Sequence, residues 1–179
     1  MVLALLTLLS LGEAKERVYQ TPPYLPRYAA FELIINPPSA VHPAAISPAL
    51  RLGWEIDLIQ GQRDVLAVIA ELGLAYTSIN ADLPFFWQYT AILGIGYRNQ
   101  RDSGLYWGFS IGGGPIYYGY KLESRWDIYT EGRLMIGWRI GPLTLTFAGG
   151  YGQWLAYNPF SVAQQFAGGP FVGTQLGWK

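Results

Sequence analysis

The sequence predicts an all-β fold, an eight-stranded antiparallel up-and-down transmembrane β-barrel. Between Ala29 and Trp178 the chain divides into eight runs of alternating residues, and in each run one phase carries no charged side chain. A period of two belongs to strands, whose successive side chains point to opposite faces. The segments joining the runs tend to alternate between longer and shorter, and aromatic residues recur ten positions apart on the uncharged phase. Together these observations predict strands that cross an apolar layer, with longer loops at one end and tight turns at the other.

The first strand is expected at 29–36, where Phe31, Leu33 and Ile35 share the uncharged phase. The second, 49–59, presents Leu50, Leu52, Trp54, Ile56 and Leu58, and the third, 65–78, presents Leu66, Val68, Ala70, Leu72, Leu74 and Tyr76. The fourth, 85–98, runs from Phe85 and Trp87 through Leu93 to Tyr97, and the fifth, 104–120, begins Leu105, Trp107, Phe109, Ile111. The sixth, 126–139, carries Ile128, Leu134, Ile136 and Trp138; the seventh, 143–157, carries Leu143, Leu145, Phe147 and Tyr151; and the eighth, 170–178, ends Leu176, Gly177, Trp178. The connections fall at 37–48, 60–64, 79–84, 99–103, 121–125, 140–142 and 158–169. Gly112-Gly113-Gly114-Pro115 interrupts the fifth strand, and because proline cannot donate to a ladder a bulge is expected there. That leaves open whether Tyr117 or Tyr118 faces outward.

Composition narrows the function classes. Charged residues are 13% of the 179 and aromatics 16%, with 22 glycines, whereas soluble domains carry about a quarter charged residues. Lys plus Arg equals Asp plus Glu at 12 each, so no net field draws the chain to nucleic acid. With no cysteine, thiolate metal sites, thiol catalysis and disulfides are excluded, and no metal or cofactor motif is present. Residues 1–14, an apolar run from Val2 to Leu11 followed by Gly12-Glu13-Ala14, read as a signal peptide. Residues 15–28 form a Pro-rich lead-in, and 29–179 form the barrel.

Aromatic depth gives the most specific membrane signal. Trp87 and Tyr97, and likewise Trp107 and Tyr117, are ten residues apart. At about 3.3 Å per residue and a tilt near 40° they rise roughly 25 Å, the height of an apolar band between aromatic girdles. Tyr97, Trp107, Trp138 and Trp178, joined by Tyr28, are expected at the turn side; Tyr76, Trp87, Tyr89, Tyr117 and Tyr151 are expected at the loop side. On this view Leu93→Arg is costly and Gly94→Ser, on the other phase, is mild.

The inward phase mixes small residues with a few opposite charges, whereas the water-facing strands of a soluble barrel of the lipocalin type would be rich in Lys, Glu and Thr. An eight-stranded barrel is only wide enough inside for its own side chains, so no open pore is expected. Arg51, Glu55, Glu71, Glu131 and Arg133 fall at similar depth when counted from the turn side. Arginine's forked donors suit pairing with two carboxylates, so these five are expected to form a lumenal charge network; water-solvated charges in a wet interior are the alternative.

In this architecture, and in its last residues Phe171-Val172-Gly173-Thr174-Gln175-Leu176-Gly177-Trp178-Lys179, the chain resembles the small outer-membrane barrels of the OmpA, OmpX and OmpW kind. The alternating apolar positions closing on an aromatic are similar to their assembly signal, although here a lysine follows the aromatic. The resemblance implies a bacterial outer-membrane protein, monomeric and surrounded by lipid, assembled by the barrel-assembly machinery through residues 171–179. It implies a structural or surface-interaction role, or OmpW-like passage of small apolar solutes. Some barrels of this size remodel lipid A, and the residue types for acyl chemistry are present in His42, in the first long loop, and Ser78 and Asp82, in the next loop on the same side.

Overall fold

A computed structural model describes residues 25–36, 45–77, 86–120, 123–155 and 168–178; residues 1–24, with the expected signal peptide and most of the lead-in, lie outside them. Eight strands follow one another: β1 Tyr28–Asn36, β2 Ala45–Gln60, β3 Asp64–Thr77, β4 Phe86–Gln100, β5 Leu105–Tyr120, β6 Glu123–Ile140, β7 Leu143–Trp154 and β8 Gly169–Trp178. Each pairs antiparallel with the next, and β1 pairs antiparallel with β8 to close the barrel. The row of paired residues Tyr106, Gly137, Thr146, Gln175, Ala30, Arg51, Gly73, Thr90, Ile116 circles the barrel and returns to β5 ten residues above its start. Eight strands with that stagger, about 4.8 Å apart and rising about 3.3 Å per residue, tilt by roughly 40°.

Three expectations are corrected. The strands β5 and β6 run on to Tyr120 and from Glu123, leaving two residues between them where a loop at 121–125 was expected. Glu123, Ser124, Arg125 and Asp127 break the apolar pattern there, but a strand that rises beyond the apolar belt needs no apolar phase. The strand β2 begins at Ala45 and takes in Pro48, which pairs with Leu33 of β1 on the loop side of the point where the ladder to β3 starts, at Ala49. Proline is tolerated at such an edge. Finally, Pro115 makes no bulge: β4 and β5 keep one register from Phe86↔Tyr120 to Gln100↔Tyr106. A Cβ on Gly114 would collide with the Ala91 carbonyl oxygen, so the glycine lets the strands stay close and absorb the missing N–H without an added residue. The register shift lies instead between Asp57 and Ile59, beside the tight β2–β3 turn. Tyr117 therefore faces outward, and Tyr118 is buried in the lumen.

The lumen is packed by aromatics set over glycines. The Tyr28 ring occupies the space a Cβ on Gly53 would need, Tyr129 does so at Gly152, Tyr106 at Gly137 and Phe171 at Gly150. Gly94 is tight for another reason: its Cβ would run into the Ile111 carbonyl oxygen of β5. The expectation that Gly94→Ser is mild fails, because the neighbouring backbone cannot move aside as a side chain would.

Candidate functional site

Midway along the lumen five charged side chains meet. Arg51 on β2 reaches Glu32 of β1 (Nε–Oε2 2.7 Å), Glu71 of β3 (Nη1–Oε2 3.0 Å) and Glu131 of β6, to which it donates twice, at 3.0 and 2.8 Å. Arg133 on β6 reaches Glu32 at 3.0 Å, Glu71 at 3.0 Å and Glu131 at 2.9 Å. All five side chains are at most 5% exposed. The Tyr28 hydroxyl donates to Glu71 Oε1, and the Phe171 ring lies 5.7 Å from the Arg51 guanidinium and 5.4 Å from that of Arg133. Two cations thus hold three carboxylates, crosslinking β1, β2, β3 and β6 across the barrel.

The expected network is correct for Arg51, Glu71, Glu131 and Arg133, but not for Glu55. Glu55 pairs with Arg98 of β4, at 2.8 Å, each side chain 19% exposed and nearer the turns. The place assigned to Glu55 is taken by Glu32. Counting residues from strand ends ignores the stagger, which carries a given count to a different depth from strand to strand. Glu32 was legible as an inward charge on the first strand; its depth depends on the β1–β8 closure, where it lies opposite Gly173.

Above the cluster, toward the loops, Ile34, Ala49, Ala75 and Phe171 form an apolar layer. Trp154 stacks edge-on to Tyr118 and Tyr129, at 5.2 and 6.3 Å, and Asn36, Ser47 and Thr77 form a hydrogen-bonded chain across three strands. Below it, a cavity of about 80 Å³ lies among the Glu55–Arg98 pair, Tyr106 and Thr146. The polar cross-section between these halves is occupied by guanidinium and carboxylate groups.

The outer face is its inverse. Leu50, Leu93, Ile111 and Leu134 are 61, 64, 63 and 71% exposed, and on this face among the described strand residues the charged exception is Asp64, at the turn-end rim against Tyr97 and Asn99. Tyr76 and Trp87 meet at 4.8 Å, Tyr89 and Tyr117 at 6.3 Å, and Tyr97 and Trp107 at 5.6 Å. Trp138 and Tyr151 are exposed, and Trp178 ends β8 at the turn side. Tyr28 does not join the turn-side girdle: it shares the inward phase of Ala30 and Glu32 and is buried. Sequence reasoning missed Trp126, on the outward phase of β6 and 5.0 Å from Tyr117.

No protein-family model, no curated protein and no solved structure matches this chain. Function therefore rests on geometry alone. His42, Ser78 and Asp82 lie outside the described residues. Among the described residues no group of three or more His, Cys, Asp or Glu is placed to hold a metal ion, and no helix is long and apolar enough to cross a membrane, which says nothing of crossing by strands.

Proposed function

We propose that this chain is an integral outer-membrane barrel with a structural and surface-interaction role and a plugged lumen. The observation that carries the proposal is the pairing of an uncharged apolar belt around a closed barrel with an arginine–glutamate cluster across its interior. In water, a continuous belt of exposed leucine, isoleucine and phenylalanine would be far larger than the apolar patches soluble monomers show. In lipid it is the expected outer surface, and the aromatics at its two edges suit the interfaces. Closure of β1 on β8 gives every strand two antiparallel neighbours, as a membrane span requires. The C-terminal strand, pairing with both β7 and β1, is the segment through which the barrel-assembly machinery would close the wall after export.

The cluster bears on the role inside that wall. Passage of small apolar solutes needs an open apolar route, and the loop-side interior, though apolar, is filled by Ile34, Phe171, Tyr118 and Trp154. A plugged lumen favours a role in envelope integrity or contact at the cell surface. Planar-bilayer recordings of the purified full chain are expected to show only rare, small openings; a stable, large ohmic conductance would contradict the plug. Deletion of the gene is expected to raise envelope permeability while leaving the lipid A mass spectrum unchanged. A changed lipid A pattern would point instead to acyl chemistry at the loops.

A further inference from the structure

Asp64 is the charged exception on the outward phase of the described strands, and the ladder fixes where it stands. It lies opposite Asn99 of β4, and Asn99 lies opposite Trp107 of β5, so the carboxylate is level with the turn-side girdle. Asn99 Nδ2 donates to Asp64 Oδ1 at 2.8 Å, and the Tyr97 hydroxyl donates to the same oxygen. Oδ2 takes neither bond, and Asp64 is only partly buried. Beside it two turns meet. The Gln100 N–H donates to the Arg63 carbonyl at 2.7 Å, and Arg63 Nη2 pairs with Asp102 at 2.8 Å. Arg63, Asn99, Arg101, Asp102 and Ser103 line one open recess there. Arg101 is exposed and joins no ion pair among the described residues.

We propose that this rim binds the headgroup of a phospholipid with a primary ammonium, of the phosphatidylethanolamine class. The phosphate rests on Arg101, with Arg63 beside it, and the ammonium donates to Asp64 Oδ2. Arg101 follows Asn99 by two residues and is therefore the diagonal neighbour of Asp64, about 7–8 Å away across the ladder. The arginine side chain and the two-carbon ethanolamine link can span that diagonal. Both contacts are charge-assisted. The charges of Arg63, Arg101, Asp64 and Asp102 sum to zero, which suits a zwitterion, whereas a free anion would meet two carboxylates and a free cation two guanidinium groups. Toward the apolar belt Tyr97 lies 5.6 Å from Trp107 and 5.5 Å from Phe109, a surface of rings for the glycerol and first acyl carbons. The proposal rests on the membrane-wall reading and adds the headgroup chemistry that one stretch of its rim selects.

Titration of dihexanoyl phosphatidylethanolamine into the full chain, labelled with ¹⁵N-arginine and ¹⁵N-asparagine and folded in alkyl maltoside micelles, tests this. The Arg101 Nε–H and the Asn99 side-chain amide are expected to shift saturably, and the Arg139 Nε–H, which donates to the Gly141 carbonyl in another turn, to stay in place. Phosphatidylcholine of the same chain length has a quaternary ammonium with no N–H to donate, and is expected to bind about tenfold more weakly. Asp64→Asn should abolish that difference, and Arg101→Met should weaken both lipids, read at Asn99. Absence of a saturable shift, equal affinity for the two lipids, tighter binding of phosphatidylglycerol, or an ethanolamine preference that survives Asp64→Asn would each overturn the proposal. Should Asp64→Asn fail to fold, the wild-type comparison and Arg101→Met, on an exposed turn, decide. Leu93→Arg tests the membrane wall separately: a stability loss there without an ethanolamine preference here would strike this proposal alone.

Discussion

Replacing Arg133 by methionine removes one of the two cations that three buried carboxylates share. Glu32, Glu71 and Glu131 would be left with Arg51 alone, which reaches them at 2.7, 3.0 and 2.8 Å, and with the Tyr28 hydroxyl on Glu71. One guanidinium cannot satisfy three carboxylates in a lumen where all are at most 5% exposed. Breaking a buried pair in this way costs about 3–5 kcal/mol, and with a urea slope near 2 kcal/mol/M the unfolding midpoint should fall by about 2 M. Arg101→Met, in the exposed β4–β5 turn, should stay within about 0.5 kcal/mol. Adding Glu131→Gln to Arg133→Met relieves part of the charge excess and should recover part of the loss, which is the sign of coupling within one cluster. The assay is reversible urea unfolding of the barrel in lipid vesicles, followed by tryptophan fluorescence. Equal midpoints for Arg133→Met and Arg101→Met would refute the reasoning and mean that water solvates the lumenal charges.

Two further comparisons, each between a pair of substitutions, probe the packing of the wall and the lumen. Gly94→Ser should cost about 1–3 kcal/mol, because its Cβ meets the Ile111 backbone, whereas Gly132→Ala, whose Cβ would find its nearest atom at 4.0 Å, should change the midpoint little; equal losses would mean that β4 and β5 do not approach as closely as their ladder implies. Glu55→Gln should cost about 1 kcal/mol or less, since its pair with Arg98 is partly exposed, and less than Glu71→Gln in the same urea titration. The opposite order would place the principal charge network at the turn end.

The fold was legible because the outward phase, Asp64 at the turn-end rim apart, obeys one rule, absence of charge, over the strands, and a period of two survives errors at strand ends. What the sequence hid depends on contacts between strands. Glu32 and Glu55 differ in depth through a stagger that only the closed ladder reveals. Tyr28 sits in a stretch without clear alternation, so its inward phase became readable only once β1 was seen to begin there. The glycines under Tyr129 and Phe171 read as small lumenal residues, but the rings they accommodate come from neighbouring strands. At Pro115 the expected bulge is absent: the ladder tolerates the missing N–H without an added residue, beside a close approach of Gly114 to β4 that composition does not reveal. Trp126 opens the expected sixth strand, yet the apolar phase was traced only from Ile128, because its charged neighbours Arg125 and Asp127 break the pattern around it.

The central claim, that the uncharged face meets lipid, is tested most directly by placing arginine on it. Leu134, on β6, is 71% exposed, and Leu93, on β4, is 64% exposed. A bilayer around them makes Leu134→Arg and Leu93→Arg each cost about 2–4 kcal/mol, while a water-facing wall would make the same changes nearly neutral, within about 0.5 kcal/mol. Urea titration of the two variants and the wild-type protein in lipid vesicles is expected to show lowered midpoints for both. Midpoints indistinguishable from wild type would contradict a membrane-embedded wall.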